Sequence, residues 1–116
     1  VQRKDYMVGM NLTGVGVDDP DVNFYENYYS TSDRNYTGYK NDEVDKLINK
    51  QSAEIDMEKR KKLVWEVDRK LAEDGARPVI SHGVANTCWQ PYVKGLILQH
   101  NSIYNSWRFE DLWLDR

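Results

Sequence analysis

Between Asn35 and Lys70 an aromatic, glycine-punctuated loop runs directly into two separately capped helices, and no other stretch constrains the fold as tightly. Asn41 is a good N-cap, and Asp42 and Glu43 put negative charge at the positive end of the helix dipole, so a helix is expected to begin near Asp42. Val44, Leu47, Ile48 and Gln51 follow at helical spacing and give one narrow core-facing stripe, while Asp45, Lys46, Asn49 and Lys50 stay wet. The helix runs for about two to three turns. Asp56 caps a longer helix in which Leu63, Val64, Val67 and Leu71 form the apolar face beside the solvated run from Lys59 to Lys62. Gly75, just after Asp74, supplies the stop. Glu58 and Lys62, and Glu66 and Lys70, are acid-before-base pairs four apart, worth a few tenths of a kcal/mol each.

Pro78 opens an extended run, Val79 to Val84, whose apolar start suits a strand covered by a helix on at least one side. A helix followed at once by a strand implies an α/β fold. A turn around Trp89, Pro91 and Tyr92 leads to Val93, Lys94 and Gly95, and then to a second apolar run from Leu96 to Leu98; Gly95 marks a turn or bulge at its entrance. Trp107, Phe109, Leu112, Trp113 and Leu114 crowd five large apolar residues into eight positions and predict a final strand that wants a partner surface. At the other end Tyr6, Val8, Met10 and Leu12 alternate with Asp5, Met7, Gly9 and Asn11, the period-2 pattern of a first strand with one face in a core.

Thr13 to Asp21 then reads TGVGVDDPD, a loop able to bring backbone close to a ligand but with little to pack. Val22 to Tyr29 is expected to form a short helix after Pro20 with an aromatic cluster, and Ser30 to Asn35 a mobile surface loop. Gly14 and Gly16 lack the third glycine of a dinucleotide loop, and Asp18 and Asp19 would repel phosphates. Pro20 interrupts the ligand spacing that a calcium site at Asp18, Asp19 and Asp21 would need, and capping the next helix is the simpler role.

A length of 116 residues makes one domain, residues 1–116, and no apolar run approaches a membrane span. The net charge of −3, with basic residues interleaved among acids, disfavours nucleic acid. His82 and His100 stand 18 residues apart without HExxH or paired-cysteine context, so no metal or other cofactor is expected. Cys88, the single cysteine, reads as a small buried filler; beside Trp89 it has no nucleophile signature, which argues against an enzyme. Eight tyrosines and four tryptophans exceed what a small core needs and suit a pocket that closes on a small polar solute. The chain opens at Val1 without a methionine or signal peptide and is expected to be a piece of a longer protein.

The order of these pieces resembles the C-terminal part of the extracellular solute-binding proteins of family 5, the dipeptide, oligopeptide and nickel receptors of ABC importers. The resemblance rests on Asp19 and Pro20, Asn35 through Tyr39, and the run Asn41, Glu43, Val44, Asp45, Lys46, Leu47 and Ile48. It continues through Glu54, Asp56, Arg60, Leu71 to Asp74, Pro78, and Val93 to Gly95, and so covers nearly the whole chain. It implies a C-terminal lobe fragment of a type II-like periplasmic binding protein, a mixed sheet flanked by helices. The implied function is capture of a small polar solute, peptide-like or sugar-like, between two lobes for an ABC permease, with no bond made or broken, in the periplasm or extracellularly, lipid-anchored in some members. It implies as solute-facing residues Thr13, Gly14, Val15, Gly16 and Asp18. In peptide-binding members an aspartate pairs with the α-ammonium where this chain has Gly16, and a tryptophan is usual where Thr13 stands, so a different solute, a sugar or a modified peptide, is implied. Asn11 and Asn35 head N-x-T triplets, coincidental in a bacterial-type binding protein. The alternatives are a stand-alone protein-interaction module and a small hydrolase. Exposed strand edges in an isolated fragment predict a dimer or a segment-exchanged oligomer.

Overall fold

Asn41, Asp56 and Asp19 each cap a helix with a side-chain oxygen, and these three helices dominate the fold. The computed structural model describes residues 6–84, 86–98 and 108–115. In chain order the elements are α1 (Pro20–Asn27), α2 (Asp42–Ser52), α3 (Met57–Glu73), β1 (Val93–Lys94), a 3-10 turn (Phe109–Asp111) and β2 (Trp113–Leu114). Residues 6–12 and 19–79 form one compact unit, and residues 13–18 with the described residues after 79 form a second.

In the first unit Asn41 Oδ1 accepts from the backbone N–H of Glu43 at 3.0 Å and of Val44 at 3.4 Å, which starts α2 where the sequence predicts. Asp56 Oδ1 accepts from Lys59 N at 2.9 Å and starts α3. Gly75 adopts a φ of 59° just past α3, a left-handed conformation that releases the chain from the helix at little steric cost. The facing stripes of α2 and α3 meet in a core of Val44, Ile48, Val67, Leu71 and Ala76, to which α1 contributes Phe24. The fourth α2 stripe residue, Gln51, is fully buried as a polar group, while Leu47 is only partly buried. The acid–base pairs four apart do not form as predicted. Glu58 instead pairs with Lys61 three residues on, the other spacing that shares a helix face, and Lys70 crosses to Glu43 of α2 at 2.9 Å, where a partner on a packed helix competes with one along its own.

Several expectations are corrected in this unit. Residues 6–12 carry no strand, and Met7, Val8, Met10 and Leu12 are 85–101% exposed on both sides of the backbone. A lone strand leaves its N–H and C=O groups unpaired, so the alternation alone builds nothing without a neighbour. Ser30 to Asn35 is tied down instead of loose: Ser32 Oγ donates to the Glu26 carbonyl at 2.6 Å and Arg34 pairs with Glu26 at 2.8 Å. Asn35 itself is buried, and its amide donates to the carbonyls of Tyr39 at 2.7 Å and Tyr29 at 3.3 Å. The Asn35 triplet is therefore closed to modification in the folded chain.

The second unit holds the only strands among the described residues. β1 and β2 pair antiparallel with Val93 opposite Leu114 and Lys94 opposite Trp113, and Asp115 N extends the ladder to the Tyr92 carbonyl at 2.8 Å. A strand near the C-terminal aromatic cluster is thus present at Trp113–Leu114, whereas Trp107 lies outside the described residues. The N-terminal partner is Val93–Lys94 and not the apolar run at Leu96 to Leu98. Gly95 follows this strand with a φ of 76°, and any Cβ there would strike the Asp111 carbonyl, so the glycine permits both the turn and the close approach. Residues 79–84 carry no strand and Val79, Ile80 and Val84 are exposed. The mixed sheet flanked by helices is accordingly corrected to a helix-dominated chain with one two-strand antiparallel pair among the described residues. Cys88 is exposed and is no buried filler, since it borders a hollow instead of a core.

Candidate ligand-facing segment

Two glycines and one acid with nothing to pack against leave residues 13–18 without regular structure. Thr13, Gly14, Gly16 and Asp18 are exposed and Val15 is half-buried. Open space surrounds the position that a Cβ on Gly16 would occupy. Asp18 forms no hydrogen bond or ion pair with any described residue. The five residues thus lie within one short, mostly exposed stretch of irregular backbone with a single unengaged carboxylate.

The next two acids are fully engaged. Asp19 N-caps α1 by accepting from Asp21 N at 2.9 Å, which Pro20 at the first helical position favours through its fixed φ. Its two oxygens also take both prongs of the Arg60 guanidinium, at 3.0 and 2.6 Å. Arg60 Nε donates to Gln51 Oε1 at 3.3 Å, Gln51 Nε2 donates to Asp21 Oδ1, and Ser52 Oγ donates to Asp21 Oδ2 at 3.0 Å. The start of α1, the end of α2 and the start of α3 meet in this closed polar cluster, which satisfies both ends of the buried Gln51 amide. The Arg60 hydrogen bonds hold the Asp19 carboxyl below the usual carboxylate range against the opposing effect of partial burial, and the same pair pushes Arg60 up. With Asp19 and Asp21 committed to Arg60, Gln51 and Ser52, a calcium site on this stretch would have to break the cluster.

A second polar cluster closes the other side of the three-helix unit. Tyr39 Oη donates to Asp74 Oδ2 at 2.5 Å, and Asn41 Nδ2 donates to the same oxygen at 2.9 Å. Burial and the Asp74 carboxylate together push the Tyr39 hydroxyl up to about 12. Tyr25 and Tyr29 stand 5.1 Å apart with rings tilted by 41° and hydrogen-bond the two ends of the Asn49 amide. Tyr25, Tyr28 and Tyr29 therefore serve largely to pack α1 on the core.

Within the second unit an open, largely apolar hollow of about 190 Å³ lies among Trp89, Val93, Leu96, Leu98, Phe109 and Leu112. None of Thr13, Gly14, Val15, Gly16 and Asp18 lines it. The sequence reading takes Leu96, Leu98, Phe109 and Leu112 as strand material and Trp89 as part of a turn, and the aromatic excess of the chain was the signal for a cavity. Among the described residues no three His, Cys, Asp or Glu side chains converge as metal ligands; His82 is exposed, and His100 lies outside the described residues. No described helix is long and apolar enough to cross a membrane. No protein-family model, curated protein or solved structure matches the chain.

Proposed function

We propose that the chain is part of the C-terminal lobe of a type II-like periplasmic solute receptor, which captures a small polar solute for an ABC permease and transforms nothing. The observation that carries this reading is a mismatch between helices and strands. The helices are capped, packed and satisfied, yet the two stretches patterned as strands, residues 6–12 and 79–84, expose their large apolar side chains. Such a sequence is written for a sheet whose other strands lie elsewhere in a longer protein. Thr13, Gly14, Val15, Gly16 and Asp18 are its solute-facing segment, since backbone amides and a free carboxylate are what a small polar solute needs. The receptor works in the periplasm or outside the cell, lipid-anchored or free.

Thermal-shift screening of the intact protein against peptides, sugars and metal chelates tests this. A solute at about 100 times its Kd adds about 2.7 kcal/mol of stability, a shift of several degrees. One class is expected to give that shift and Asp18→Ala to reduce it. No shift from any class, or tight binding of unmodified dipeptides indifferent to Asp18→Ala, contradicts the reading. A second reading, a protein-interaction module, draws on the apolar hollow and on the exposed Trp113 and Leu114. Residues upstream of Val1 separate the two, because only the receptor requires a signal peptide and a second lobe.

A further inference from the structure

Along its length α1 is held by Phe24, by the partly buried tyrosines and by the Tyr25 hydroxyl on Asn49 of α2, and its charged fastening lies at its N-terminal end. Of its eight residues only Phe24 and Asn27 are buried, whereas Val44, Ile48 and Val67 of α2 and α3 have 0% exposure. Its N-terminal fastenings are carboxylates: Asp19 on Arg60 of α3, and Asp21 on Gln51 and Ser52 of α2. Its C-terminal fastening, Arg77 Nη1 donating to Asn27 Oδ1 at 2.9 Å, has an acceptor that does not titrate.

We propose that α1 is an acid-released arm, which undocks when Asp19, beside Asp21, is protonated while α2 and α3 remain folded together. The groups facing these carboxylates are few. Arg60 faces both, α2 presents only the neutral Gln51 and Ser52 to Asp21, and the Tyr25 hydroxyl on α1 itself lies near Asp21. Protonation removes the anion from a partly buried guanidinium and leaves Arg60 with Gln51 alone, so the charge regains solvation only if α1 moves away. Because Asp19 is held below its ordinary value, its contribution is complete above the unfolded carboxylate range and is lost as pH falls below about 4. Carboxylates also sit at the edge of the α2–α3 contact, where Asp74 is held below its ordinary value by Tyr39 and Asn41 and Glu43 pairs with Lys70, but the buried apolar core of Val44, Ile48, Val67 and Leu71 does not depend on them, which makes the release local.

Amide hydrogen exchange read by NMR on the protein between about pH 6 and about pH 3, corrected for intrinsic rates, tests this beside Asp19→Asn, which keeps a cap but not the charge. Protection at Phe24 and Tyr25 is expected to fall about tenfold more than at Ile48 and Val67, and Asp19→Asn is expected to show much of that loss already at the higher pH. Joint loss across all three helices, flat α1 protection down to the lowest pH, or an Asp19→Asn variant protected like the parent would each overturn it. Should Asp19→Asn not fold, the titration of the parent protein decides alone.

Discussion

Asn35 is a small side chain on which a whole connection depends. Its amide spans the carbonyls of Tyr29 and Tyr39 while its own carbonyl accepts from Thr37 Oγ1 at 3.2 Å, at 1% exposure. Asn35→Ala strands these acceptors away from water and is expected to cost about 2 kcal/mol in urea denaturation. Tyr39 gives a pH signature of opposite sign to that of Asp19. Its phenol is raised to about 12, so its contribution is intact below the unfolded value near 10 and is lost as pH climbs between the two. Absorbance titration is expected to show Tyr39 ionising late, beside Tyr25 and Tyr28, which burial also raises, and Asp74→Asn to bring Tyr39 down. The sequence read Asn35 as a loop residue, because its partners are backbone carbonyls that leave no trace in side-chain patterning. Asp19 and Arg60 were legible as a cap and a helix residue, but not as a pair 41 positions apart.

α2 and α3 follow their sequence signals closely, because cap, dipole and apolar stripe all agree there. Ile48→Ala, which removes a fully buried side chain at the centre of their contact, is expected to cost about 3 kcal/mol in chemical denaturation. Trp65→Ala on the outer face of α3, 67% exposed, is expected to change stability by less than about 0.5 kcal/mol. The strands were less legible. Period-2 patterning at Tyr6 to Leu12 records which side would be buried, but pairing depends on a neighbour that local sequence does not supply. The β1–β2 pair depends on Gly95, so Gly95→Ala is expected to separate the strands by its clash with the Asp111 carbonyl, read as loss of amide protection at Asp115.

Taken over the whole molecule, the chain combines a satisfied three-helix unit with long apolar stretches that cover nothing. Such stretches pair with other chains, and light scattering of the isolated 116-residue chain is expected to show a dimer or larger exchanged species, with a monodisperse monomer at high concentration as the contrary result. The candidate site was legible as a glycine-rich loop with three acids. Which acid stays free was not, because that depended on Arg60 and Gln51 from distant helices. The most direct measurement is native mass spectrometry of the intact protein with whichever solute stabilises it. One solute per chain, released at unchanged mass, is the predicted result; a solute whose mass is altered after incubation, or no bound solute at all, contradicts capture without chemistry.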